Sequence, residues 1–266
     1  MKTKYRLAED VKPQVKLLLI ATIISIGIWL ASWYFSFATY ILYPIQLFST
    51  FVHEGSHVLA TLVTGGTVVS LTVSPDTSGV VWSLSDNWLA SLVVSSAGYL
   101  GTTAFGIALL IWFRFGYSSR AALYFSSAYV GLMTLIFGLL APIWNMFHIN
   151  VSFFSVVFTV ISGSVLTATL FAIAKFANLK WVNFSAAFLA VQCLLSAIYS
   201  LKALFIISAT TDAQSDAANM AAATGIPALG WVMIWIGISV VMIAIGLRLY
   251  AVVGKSTPES PISSDI

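Results

Sequence analysis

Seven long apolar stretches run through this chain, each near or above the roughly 20 residues that a helix needs to cross a bilayer's hydrocarbon core. They are Leu17–Phe37, Tyr40–Thr64, Trp88–Phe113, Ala121–Ile143, Val151–Ala174, Trp181–Ile207 and Ile226–Val253. The pieces at 114–120, 145–150, 175–180 and 208–225 are short and polar connections with no room for a soluble domain. The composition agrees: 59% of the 266 residues are hydrophobic, 8% are charged, and the mean hydropathy is +0.97. A soluble domain carries about a quarter charged residues, because its surface must be wetted. Twelve basic and nine acidic side chains cannot cover a globule of this size. A soluble enzyme, a nucleic-acid binder and a disordered regulator are all excluded. The net charge of +3 does not imply a nucleic-acid partner, since the basic residues gather at segment ends. The single cysteine, Cys193, lies in an apolar run and allows no intrachain disulfide.

The expected fold is an all-α polytopic membrane protein of about seven transmembrane helices, with a short β-hairpin after the second. Polar tails at 1–16 and 254–266 flank one transmembrane domain at 17–253. The first stretch reads as a retained signal anchor. Lys2, Lys4 and Arg6 resemble a signal-peptide start, but the apolar run is too long and Glu9 and Asp10 interrupt the basic end. Five basic residues between Lys2 and Lys16 place the N-terminus in the cytoplasm of a multi-pass plasma-membrane protein. Seven full crossings would then put Arg114/Arg120, Lys175/Lys180 and Arg248/Lys255 on the opposite side, against the positive-inside expectation. One stretch that does not cross would relieve that conflict. Between 65 and 84 the pattern changes to β-branched runs on either side of Pro75-Asp76-Thr77-Ser78-Gly79, which predicts two strands around a turn.

One acidic residue lies deep in a span. Glu54 stands between His53 and His57 in "FVHEGSHVLATLVTGG", on the predicted helix at about 40–64. Histidines at i and i+4 project from one helical face and can share a metal ion. Zinc takes nitrogen ligands of this kind and keeps one position open, and a glutamate beside the first ligand can serve as general base for the bound water. His53 lies about eleven residues from the predicted helix end, or roughly 16 Å. At that depth an ionisable group costs about 3 kcal/mol, so three polar residues there need a compensating partner. A divalent cation is one such partner. A hydrogen-bonded packing knot and a proton relay are the alternatives.

From His53 to Gly106 the chain resembles the M50 family of intramembrane zinc metallopeptidases (site-2 protease type), and most of all its M50B-like branch. The resemblance rests on "HEGSHVLATLVTGG", the hairpin ending in "SGVVW", and "SAGYLGTTAFG" on the next span, with a further match in "QSDAANMAAATGIPALGWVMIW". It implies a membrane-embedded peptidase in which His53 and His57 bind Zn2+ and Glu54 activates a zinc-bound water. The substrate would be a membrane protein or peptide, cleaved in or beside the bilayer. The chain departs from the family pattern in two places. Gly55 and Ser56 stand where an HExGH order is usual, and no aspartate occurs in an "LDG" context.

The third metal ligand is therefore open. Asp216 leads because it falls in the resembling segment, and its competing role is a helix cap shared with Ser215. Asp212 and His148 are alternatives, and both also suit wetted loops. Asp76 and Asp86 read as turn and cap residues, Lys202 and Arg248 as snorkelling cations, and Trp82, Trp88, Trp181 and Trp231 as interfacial anchors. Two rival functions remain: a catalytically inactive relative with a binding or regulatory role, and a proton or metal transporter.

Overall fold

The computed structural model describes residues 12–32, 34–84, 88–115, 117–145, 151–211 and 213–252. His148, Asp212, Asp86, the C-terminal tail and residues 1–11 lie outside them, and the rest of the expected N-terminal tail, Lys12 to Lys16, is the start of the first helix. The elements run α1 (Lys12–Ser32), α2 (Ser36–Val63), β1 (Thr67–Val73), β2 (Gly79–Leu84), α3 (Trp88–Arg114) and α4 (Ser119–Leu132). A π-helical stretch, Met133–Leu140, carries α4 on into α5 (Ala141–Trp144). Then come α6 (Phe153–Phe176), α7 (Leu179–Thr210), α8 (Asp216–Thr224) and α9 (Ala228–Val252).

The predicted stretches are helical, but the count of seven spans is not confirmed. Five helices are long and apolar enough to cross a membrane: Trp88–Arg114, Ser119–Trp144, Phe153–Phe176, Leu179–Thr210 and Ala228–Tyr250. Helix α1 runs 21 residues, of which Lys16–Ser32 is an apolar stretch. Helix α2 has the length, at 28 residues, but it carries Gln46, His53, Glu54 and His57, so composition alone does not mark it as a span. Two further expectations need correcting. Phe37 belongs to the second helix rather than the first, because the Tyr34 and Phe35 N–H groups both return to the Ala31 carbonyl and end α1 there. The stretch at 208–225 is not a bare connection, since it contains α8.

Large apolar side chains face outward on the long helices, among them Ile23, Ile161, Val165, Val240 and Val241. That outer surface suits lipid. Inside, helices approach closely where a glycine removes a side chain. A Cβ on Gly106 of α3 would stand 3.1 Å from the Ala190 carbonyl of α7. Such contacts replace the hydrophobic driving force that helices lose in lipid.

The hairpin turns back along α2. Val73 pairs with Gly79 and Thr67 with Leu84, with a bulge between Val68 and Ser70. At the tip the Tyr43 hydroxyl donates to the Pro75 carbonyl at 2.8 Å, and the Thr50 hydroxyl donates to the Thr77 carbonyl at 2.7 Å. The Asp76 carboxylate accepts the amide and hydroxyl of Ser78, which hold its pKa below the usual carboxylate range. It is thus a turn residue, as its sequence context predicts. Backbone among lipid-facing helices must find protein partners. On the outer side of β1, the Val73 amide donates to Thr159 Oγ1 at 2.7 Å and Asn145 Nδ2 donates to the Val69 carbonyl at 3.4 Å. Strand β1 is almost wholly buried, whereas β2 alternates and turns Val80, Trp82 and Leu84 outward.

Candidate metal centre

His53 and His57 share one face of α2, one turn apart, as their spacing requires. Helix α8 brings Asp216 to them from the far end of the chain. Its Oδ2 lies 3.8 Å from His53 Nε2 and 3.4 Å from His57 Nε2. One ligand atom from each of the three falls within 4.8 Å of the others. Atoms held about 2.0 Å from a tetrahedral ion stand roughly 3.3 Å apart. Two nitrogens and a carboxylate oxygen at these separations therefore fit Zn2+ in both donor chemistry and spacing.

His57 has a fixed tautomer. Its Nδ1–H donates to the Val94 carbonyl of α3 at 2.7 Å, which leaves Nε2 facing Asp216. A hydrogen bond of this kind orients a ligating imidazole and raises its basicity. His53 meets the ring of His57 at 4.9 Å and that of Tyr99 at 4.7 Å.

The two roles considered for Asp216 are divided between neighbours. Ser215 is the cap, with its side chain accepting the Ala218 amide at 3.2 Å. Asp216 is the first helical residue, and its carboxylate is free to face the histidines. Gly225, at φ 75°, closes the other end in the left-handed region. Two tryptophans fix that end. Trp88 Nε1 donates to the Ala223 carbonyl at 2.8 Å, and Trp231 Nε1 donates to Thr224 Oγ1 at 2.9 Å. Their indole N–H groups thus hold α8, which adds to the interfacial role expected of them. Ala217 and Met220 anchor the helix by burial.

Two glycines make room for the site. A Cβ on Gly98 of α3 would lie 2.5 Å from His57 Nε2 and closer still to His53 Nε2. A Cβ on Gly79, the first residue of β2, would lie 2.5 Å from both Cγ and Oε1 of Glu54. Glu54 is buried, between α2 and the hairpin. The shifted glycine of the motif also has a local reason. The Tyr129 hydroxyl of α4 occupies the space that a side chain at Gly55 would need. Ser56 meets the bare surface of Gly101 and donates its hydroxyl to the Val52 carbonyl at 2.7 Å. A glycine before the second histidine is unnecessary where the facing helix supplies one.

Sequence reasoning passed over Val94, Gly79 and Tyr99. The segment "SAGYLGTTAFG" carries small residues, Ala97, Gly98, Gly101 and Thr102, that permit the close approach of α3. A cleft of about 460 Å³ opens between α3, α8 and α9, lined by Leu92, Ser96, Leu100, Met220 and Trp231 and by none of the three ligand candidates. It is almost entirely apolar. Lys202 and Arg248 are exposed and stand apart from the centre's residues.

A family model described as Peptidase M50B-like matches residues 19–246, a range that includes His53, Glu54, His57 and Asp216. No curated protein and no solved structure matches the sequence. With a match across most of its length, the chain belongs to the Peptidase M50B-like family.

Proposed function

We propose that this integral membrane protein is a zinc metallopeptidase that hydrolyses peptide bonds in or near the bilayer. The observation that carries the reading is the convergence of Asp216 on His53 and His57, on the helix that also bears Glu54. His53, His57 and Asp216 would hold the ion, whose bound form supplies Lewis acidity toward a carbonyl and toward water. Glu54 takes the proton from the attacking water on its carboxylate as the new C–O bond forms. It returns that proton to the leaving amine as the C–N bond breaks. Burial keeps bulk water away from this carboxylate, and Gly79 lets the hairpin pack against it without a side chain. Strand β2 is hydrogen-bonded only to β1 among the described residues. An extended peptide can add to such an edge through main-chain hydrogen bonds.

The test uses detergent-purified protein and proteoliposomes containing a pool of synthetic transmembrane peptides. The wild type should carry about one zinc per chain by elemental analysis, as expected for a mononuclear centre. Mass spectrometry should find new peptide termini. Glu54→Gln should keep the zinc and cleave at least about a hundredfold more slowly. A wild type that takes up no zinc after refilling would sink the reading. The hairpin makes a separate prediction. Gly79→Val should leave zinc content unchanged and cut turnover by about a hundredfold or more, because a side chain there displaces the general base. A proline in β2 should block cleavage in a protein that still folds, and if activity survives it, the strand does not hold substrate.

A further inference from the structure

The two histidines are held in different ways. A backbone carbonyl sets the ring of His57, whereas His53 is set by packing. The Tyr99 ring stands edge-on to His53, with centroids 4.7 Å apart and planes at 84°. Its other side stacks on Trp235 of α9, at 5.4 Å and 22°. Trp235 is itself fixed, since it is almost fully buried and its Nε1 donates to Ser96 Oγ at 3.1 Å. Rings from α2, α3 and α9 thus form a continuous line of contacts, one edge-on and one stacked, that reaches a ligand candidate. Torsion about the bond to an imidazole is broad, so an unsupported ring samples many orientations.

We infer that Tyr99 is a positioning residue for the metal centre: clamped by Trp235, its ring sets the orientation in which His53 presents Nε2 beside Asp216. The inference rests on the metal-binding reading above and concerns the ring, not the hydroxyl. Residues that orient ligands affect metal affinity by about 10- to 100-fold when removed.

The test is Co2+ refilling of the full-length protein, read by its visible absorption spectrum and by chelator competition. Tyr99→Leu should weaken Co2+ binding about tenfold or more and alter the spectrum. Tyr99→Phe should restore the wild-type affinity and spectrum. Trp235→Leu, one ring further from the centre, should move both readouts in the same direction and keeps the test open if Tyr99→Leu does not fold. Leu204→Ala, in the same apolar cluster on α7, controls for general loss of packing. It should lower thermal stability and leave the spectrum unchanged. An unchanged affinity and spectrum in both leucine variants would overturn the inference, as would a Tyr99→Phe variant as weak as Tyr99→Leu. The same spectral change in Leu204→Ala would also overturn it. If the wild type itself binds no Co2+, the metal reading fails first.

Discussion

Gly98→Ala is expected to empty the metal centre without removing any ligand. The added carbon would stand 2.5 Å from His57 Nε2 and nearer to His53 Nε2. Both are ring atoms of side chains packed on α2, and His57 is also tied to Val94. Relief requires the rings to leave Asp216 or α3 to leave α2, and either move breaks the donor set. Zinc should fall from about one per chain to below about a tenth, read by elemental analysis. The fold should survive. Alanine stabilises a helix interior by about 0.5–1 kcal/mol relative to glycine, against an overpacking cost of about 1–3 kcal/mol. Gly27→Ala is the control, since nothing lies within 4 Å of a Cβ there. Wild-type zinc content in Gly98→Ala would mean that the rings relax freely and that α3 does not shape the site.

Asp216 and Ser215 are adjacent, yet their replacement should give opposite results. Asp216→Ala removes the only carboxylate grouped with the two histidines among the described residues. Zinc affinity should drop by at least about a hundredfold, beyond the range seen when only a ligand's supporting group is lost. Ser215→Ala removes the side chain that accepts the Ala218 amide, so it should cost about 1 kcal/mol of stability and leave zinc bound. Chelator competition and thermal unfolding separate the two. Should Asp216→Ala retain wild-type affinity while Ser215→Ala loses the metal, the carboxylate is a bystander.

Those two residues also mark how far sequence could be read. His53, Glu54 and His57 are legible because helical periodicity is local: the i, i+4 spacing alone puts both imidazoles on one face. The hairpin is legible for a similar reason, as Pro75 to Gly79 interrupts two β-branched runs. What brings Asp216 to α2 is the packing of α3, α8 and α9, and no spacing encodes that. Helix α8 itself is legible from its cap at Ser215 and its close at Gly225, but not where it docks. Val94 acts through its carbonyl, which every residue has, so nothing in its side chain announces the bond to His57. Trp88 and Trp231 carry the composition of an interfacial anchor, and their hold on α8 depends on where each indole N–H points. The count of seven spans is not confirmed for a related reason. The polar residues that give α2 its chemistry are the same ones that lower its apolar character.

The donors of this centre belong to opposite ends of the chain, with two on α2 and one on α8. An ion shared among them would act as a cross-link, closing a loop that contains the hairpin and helices α3 to α7. The entropy of closing a loop grows only slowly with its length, so a tether that spans most of a chain is nearly as cheap to form as a local one. Metal binding to such a set is folding free energy, because the unfolded chain offers no preformed site. Chelation should therefore do more than silence chemistry. It should release α8 from α2, so that resistance to heat and to proteolysis at the α7–α8 junction rises and falls with metal occupancy.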